Sequence, residues 1–183
     1  MGSKRAPESR DERDARQWDA IGEASELLVE KNYEAALLEL KRITLDDPNN
    51  AYAYNLLGTA FWELRQLEAA RDAYRAAVLL APSFLGARTA LAQTLRRMGD
   101  FAGAEREARM ALRQEPRDGD AHMVLGLVFA ARGERQKAKG HLAAFLESKP
   151  EYEAQVEAQN VLELLASGEE GEPLDLDEEG DDE

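Results

Sequence analysis

Four of the six prolines in this chain, Pro48, Pro82, Pro116 and Pro150, stand 34 residues apart. A fixed spacing of this kind constrains a fold more than composition does, because one structural unit must be used again and again. Other positions keep the same period. Twelve residues before each proline comes a small residue, Ala36, Ala70, Ala104 and Ala138. Eight before come Leu40, Tyr74, Ala108 and Leu142, and five before come Ile43, Ala77, Ala111 and Phe145. Further upstream, Ala24, Gly58, Ala92 and Gly126 share one register position.

Within a copy the apolar residues fall at helical spacing. Tyr54, Leu57, Gly58 and Phe61 lie at i, i+3, i+4 and i+7, which is one face of an α-helix. Small residues at Gly58 and Ala70 let two helix axes approach closely. Each proline stops the second helix, since it lacks an N–H and biases the residue before it away from helical angles. The unit is therefore a helical hairpin, and such a hairpin buries its apolar face only by stacking on neighbours. Ser9-x-x-Glu12 reads as a capping box for the first helix, and Asp118 and Asp120 lie near a later helix start.

The pattern resembles the tetratricopeptide repeat (TPR). Residues 51–84 carry Tyr54, Leu57-Gly58, Phe61, Ala70, Tyr74, Ala77 and Pro82 on that pattern. Residues 119–152 match through Leu125-Gly126, Phe129, Gly133, Ala138, Phe145 and Pro150. Residues 85–118 match through Leu91-Ala92, Leu95, Gly99, Phe101, Ala104, Ala111 and Pro116. The copy at 17–50 is the weakest, with Glu23-Ala24 where the pattern has Leu-Gly. The resemblance implies an all-α fold, a right-handed superhelical α-solenoid. Its expected parts are an N-terminal extension at 1–16, partly disordered or helical, four repeats over 17–152, a capping helix at 153–167 and an acidic tail at 168–183.

Charge separates the tail from the body. Residues 169–183 hold ten of the 37 acidic residues and none of the 23 basic ones, so 1–168 carry a net charge of only −4 out of −14. With Leu174 and Leu176 as its only large apolar residues, the tail cannot offset the entropy of ordering and is expected to be disordered. The chain has no cysteine, which removes disulfides, thiolate metal sites and a cysteine nucleophile. His122 and His141 are its only histidines, and the spacing offers neither a nucleophile beside them nor a ligand pair. Without a P-loop or a dinucleotide glycine pattern, the expectation is a protein with no catalytic residues, no metal and no cofactor. The longest apolar run, Ala76 to Ala81, is far short of the ~20 residues a membrane helix needs, so no membrane insertion is expected. Nucleic acid is excluded by the acidic balance and by the lack of a basic stripe.

In TPR proteins the first helix of each repeat lines a concave groove that takes a partner's peptide or helix. Carried over by position, the resemblance places Trp18, Ile21, Ser25, Leu28 and Val29 on that face in the first copy and Tyr52, Asn55, Thr59, Trp62 and Glu63 in the second. The third copy contributes Gly86, Thr89, Gln93, Arg96 and Arg97, and the fourth Asp120, Met123, Leu127, Ala130 and Ala131. Apolar anchors beside two arginines suit an amphipathic helix or an extended segment carrying carboxylates. The bland alternatives are that the tryptophans cover local seams and that the arginines are solvated.

Two functions follow from the resemblance. One is a cytoplasmic protein–protein adaptor or scaffold, a subunit of a bacterial multiprotein complex. The alternative is a chaperone for a secreted or assembling client, similar to those of type III secretion. The clamp by which heat-shock co-chaperones hold a carboxyl terminus is absent, since Ile21, Ser25, Leu56, Gly86 and Ala90 occupy its places. The tail, Glu169 to Glu183, is an expected second contact for a partner, or for Arg96-Arg97 of the same chain.

Overall fold

The computed structural model describes residues 9–167 and 173–174. Among them are ten helices and no strand: α1 (Arg10–Ala20), α2 (Gly22–Val29), α3 (Tyr33–Asp46), α4 (Ala51–Glu63), α5 (Leu67–Leu80), α6 (Leu85–Arg97), α7 (Phe101–Gln114), α8 (Gly119–Ala131), α9 (Arg135–Glu147) and α10 (Tyr152–Ser167). The proline period is the helix period. Second helices begin at Tyr33, Leu67, Phe101 and Arg135, each 34 residues after the last.

Local chemistry explains the boundaries. Asn50 and Asp118 each accept an N–H of the first turn that follows, from Ala53 at 3.0 Å and Ala121 at 2.7 Å. Asp100 does the same for α7, from Gly103 at 2.8 Å. Such caps satisfy donors that the helix itself leaves orphaned. At the other end, Asp47, Ala81 and Glu115, each directly before a proline, leave the helical region with φ near −131° to −133°. The tight turn between the two helices of a hairpin is also periodic. Lys31, Arg65, Gly99 and Gly133 all have positive φ, at 59°, 57°, 77° and 71°. Two copies place glycine there and two accept the strain of a side chain.

The chain forms two compact units, Met1–Pro82 and Ser83–Glu183. In the first, α2 and α3 form one hairpin, α4 and α5 the next, and α3 packs on α4. Its core gathers Ile21, Ala24, Leu37, Leu40, Ile43 and Leu57. In the second, α6–α7 and α8–α9 stack through α7 and α8, and α10 closes against α9 and α8. Leu91, Leu95, Leu125, Phe129, Leu142 and Phe145 are buried there, together with Val161 and Leu165 of α10. Arg135, 2% exposed, donates to the Leu165 carbonyl at 2.8 Å and so satisfies the end of α10 from α9.

Gly58 shows why small residues occupy the hairpin crossing. A Cβ there would lie 2.6 Å from the Tyr74 ring, and one at Gly126 would lie 2.7 Å from Leu142. Where the second helix instead carries Ala108, the same position of the first helix is Ala92. A large residue on the second helix, Leu40, Tyr74 or Leu142, always faces glycine or alanine on the first.

The first repeat departs from the others. Its helical start is at Arg10, with Ser9 and Glu12 forming the reciprocal capping box: the Glu12 N–H donates to Ser9 Oγ at 3.2 Å and the Ser9 N–H to Glu12 Oε2 at 2.9 Å. The helix then breaks at Ile21 (φ −95°, ψ 0°), so α1 straddles the expected 16/17 boundary and α2 keeps only eight residues.

Candidate partner-binding face

Sequence position alone does not explain how α1 is held. Gln17, 4% exposed, donates to Asp47 Oδ2 at 2.9 Å and to the Asn49 carbonyl at 3.1 Å. Asn50, fully buried, donates to the Gln17 carbonyl at 3.0 Å while its oxygen caps α4. Arg16 completes the set with an ion pair to Asp47 at 3.1 Å. Burial pushes the Asp47 carboxyl up, but the hydrogen bonds from Gln17, the Asn49 N–H and Arg16 outweigh it and hold the group below its ordinary value. The turn between the first two repeats is thereby a socket for α1.

That docking sets Trp18 beside Tyr52 of α4, edge to face with ring centroids 5.5 Å apart. Trp18 stays 63% exposed and Val29 of α2 82% exposed, although large apolar groups gain by leaving water. Between them opens a hollow of about 430 Å³ lined by Trp18, Ile21, Gly22, Ser25, Glu26, Val29 and Glu30. Four residues assigned to the groove by sequence position, Trp18, Ile21, Ser25 and Val29, thus share one concavity.

The remaining candidates divide. Leu28, Tyr52, Asn55, Thr59 and Trp62 are half-buried in the first unit. Tyr74 donates to Thr59 Oγ at 3.2 Å, and Thr59 donates to the Asn55 carbonyl at 3.3 Å. Burial pushes the Tyr74 hydroxyl up to about 12, so it stays a donor at any ordinary pH. In the second unit Arg97 and Met123 are half-buried. Five positions of the expected face are less available than the resemblance implies, Thr89 and Ala130 among them. Ile21 is 4% exposed, Leu127 3% and Arg96 9%. Ile21 belongs to the core of the first unit and lines the hollow, while Arg96 is packed into the second unit and is not a solvated charge.

Leu127 is covered although Gln93, at the same position of the third repeat, is exposed. Beside it, Ala130 is fully buried, and its carbonyl accepts the N–H of Leu174 at 3.2 Å. Leu174 is half-buried and Pro173 exposed. The rest of the acidic tail lies outside the described residues.

Spacing along the chain also missed the histidines as a pair. His122 of α8 and His141 of α9 meet Nδ1 to Nδ1 at 2.9 Å. With centroids 5.1 Å apart, the nitrogens point at each other, the geometry of one shared proton. His122 Nε2 lies 3.2 Å from the Pro116 carbonyl, which only accepts. His122 therefore donates through Nε2, and His141 donates Nδ1–H to His122. Phe129 stacks on His141 at 5.5 Å. The signal that finds this pair is the hairpin itself, which brings residues 19 apart face to face. Among the described residues no group of three or more His, Asp or Glu is arranged to hold a metal. No described helix is long and apolar enough to cross a membrane.

Eight helices arranged as four 34-residue hairpins, with the small-residue crossing and the positive-φ turn repeated, define a helical-hairpin repeat protein. The chain belongs to the tetratricopeptide repeat family, whose model matches residues 21–83 and 89–153. Solved structures agree in fold. A crystal structure of MamA aligns with 24% identity and a TM-score of 0.65 over 69% of this chain and 74% of its own. TTC0263, a thermophilic TPR protein from Thermus thermophilus, aligns with 24% identity and a TM-score of 0.64 over 81% and 80%. The first TPR of Spaghetti (RPAP3), solved with the HSP90 peptide SRMEEVD, aligns with 23% identity and a TM-score of 0.57 over 64% and 94%. No curated protein matches the chain in sequence.

Proposed function

We propose that the protein is a non-enzymatic adaptor that binds a segment of another protein on the first helices of its repeats, as a subunit of a bacterial multiprotein complex in the cytoplasm. One observation carries this reading. The N-terminal helix is fastened by a buried polar network, yet it presents Trp18 to solvent at the edge of a hollow. A concavity of several hundred cubic ångströms with an aromatic wall suits a large apolar side chain, and an exposed tryptophan of this kind is a typical anchor residue. A TPR domain of similar fold holds a peptide, which supports this use of the architecture. The peptide differs here, because the positions for a carboxylate clamp are Ile21, Ser25, Leu56, Gly86 and Ala90.

Affinity purification from source cells with the intact chain and with Trp18→Ala, compared by mass spectrometry, tests the reading. Loss of the specific co-purifying protein from the variant, with far-UV helicity unchanged, is the expected result. Capture of the same partner in the same amount by Trp18→Ala would sink it.

A further inference from the structure

The hollow beside Trp18 has a charge as well as a shape. Its walls are apolar at Trp18, Ile21 and Val29, while Glu26 and Glu30 stand on its rim and no basic residue lines it. Glu26 lies on α2 and Glu30 is its C-cap, still in the right-handed helical region, so the two acids are one turn apart and on one face. Both are exposed, and among the described residues neither carboxylate is in an ion pair. Several carboxylates of other helices are instead held by arginines. Glu39 and Asp46 are held by Arg42, Glu107 by Arg88 at 2.8 Å, and Glu105 by Arg109 at 2.6 Å and Arg132 at 2.5 Å. An apolar hollow bordered by uncompensated carboxylates favours a partner that is apolar in the middle and positive at its edges.

We propose that this hollow docks a cationic amphipathic segment of a partner protein. Its large apolar side chain enters against Trp18, Ile21 and Val29, and a lysine or arginine pairs with Glu26 and Glu30. This inference rests on the adaptor reading and adds the sign of the partner's charge. It is opposite to the carboxylate-bearing partner that Arg96 and Arg97 suggest from sequence. Those arginines belong to the other unit, one is buried, and neither lines this hollow. The exposed leucines Leu38, Leu45, Leu79 and Leu80 lie on second helices and Leu164 on α10, and none of them lines this hollow.

The test uses the full chain and three synthetic peptides titrated by calorimetry at low and high salt. The first peptide has a leucine face flanked by lysines, the second has glutamates for those lysines, and the third has alanines for the leucines. The lysine peptide should bind, more weakly at high salt, and the other two should not. Glu26→Gln with Glu30→Gln should weaken the lysine peptide about tenfold and flatten its salt dependence, and Trp18→Ala should weaken it by roughly thirtyfold. If the glutamate peptide binds as well, through Trp18, the charge assignment is wrong and the adaptor site survives. If Trp18→Ala changes the binding of no peptide, or no peptide binds, the hollow is not the docking site and both inferences fall.

Discussion

At the residue scale, the 34-residue period can be used to find positions where this chain is not optimised. Lys31 and Arg65 hold the left-handed turn that Gly99 and Gly133 hold without a side chain. Replacing either with glycine should raise stability by about 0.5–1 kcal/mol, the αL strain relieved less the entropy glycine adds to the unfolded chain. Denaturant midpoints measured with an unchanged slope would register it. The reverse applies at Gly58, where a methyl meets the Tyr74 ring at 2.6 Å. Gly58→Ala should cost about 1–3 kcal/mol through overpacking, readable as a lower thermal midpoint, whereas Ala92→Gly at the same register position should be mild. The histidine pair gives a pH effect. Burial, the His122 ring and the Arg109 charge hold His141 below its ordinary value. The folded state thus binds its proton less readily than the unfolded one. The associated stability is complete above the unfolded value of about 6.5 and is lost as pH falls below it. The thermal midpoint should drop between about pH 7 and 5, and His141→Gln, which keeps a donor for His122, should flatten that part of the profile.

At the scale of elements, α1 is the part that the repeat pattern describes least. Prolines and small residues mark the hairpins, but nothing in the period requires a helix to begin at Arg10 or to break at Ile21. The capping box is local chemistry and so is visible in four residues. The socket is not, because Gln17 lies about 30 residues from Asp47, Asn49 and Asn50 and meets them only when the first hairpin closes. Asn50→Ala removes a helix cap and leaves the Gln17 carbonyl and the Ala53 N–H without their partner. It should cost about 2–3 kcal/mol. Hydrogen exchange should then quicken over α1 and the start of α4 while α8 and α9 keep their protection. Uniform loss of protection in all helices would contradict that assignment. Register position alone does not settle access at Ile21 either: it joins the core of the first unit, and Thr89 at the same position of the third repeat is buried too, while Asn55 and Met123 are half-buried.

At the scale of the whole molecule, charge and fold are distributed differently. Most of the −14 belongs to residues 169–183, and among the described residues the tail adds only Pro173 and Leu174 to the packed body. Ending the chain at Ser167 should leave helicity and the thermal midpoint unchanged within about 1 kcal/mol of stability, while altering the salt dependence of partner binding. A large loss of helicity on truncation would mean that Leu174 at Ala130 is structural. What the sequence determined alone is the repeat, its 34-residue length, the all-α class and the proline stops of the second helices, because each depends on contacts within a few turns of chain. It also named Trp18 and Val29 as surface candidates. Tertiary structure decided which candidates stay accessible, with Ile21, Arg96 and Leu127 buried and Trp18 presented beside Tyr52. It alone joined Glu26 and Glu30 to an apolar hollow and His122 to His141. Periodicity reports which face of a helix is apolar, whereas accessibility depends on what another helix, brought close by folding, places over that face.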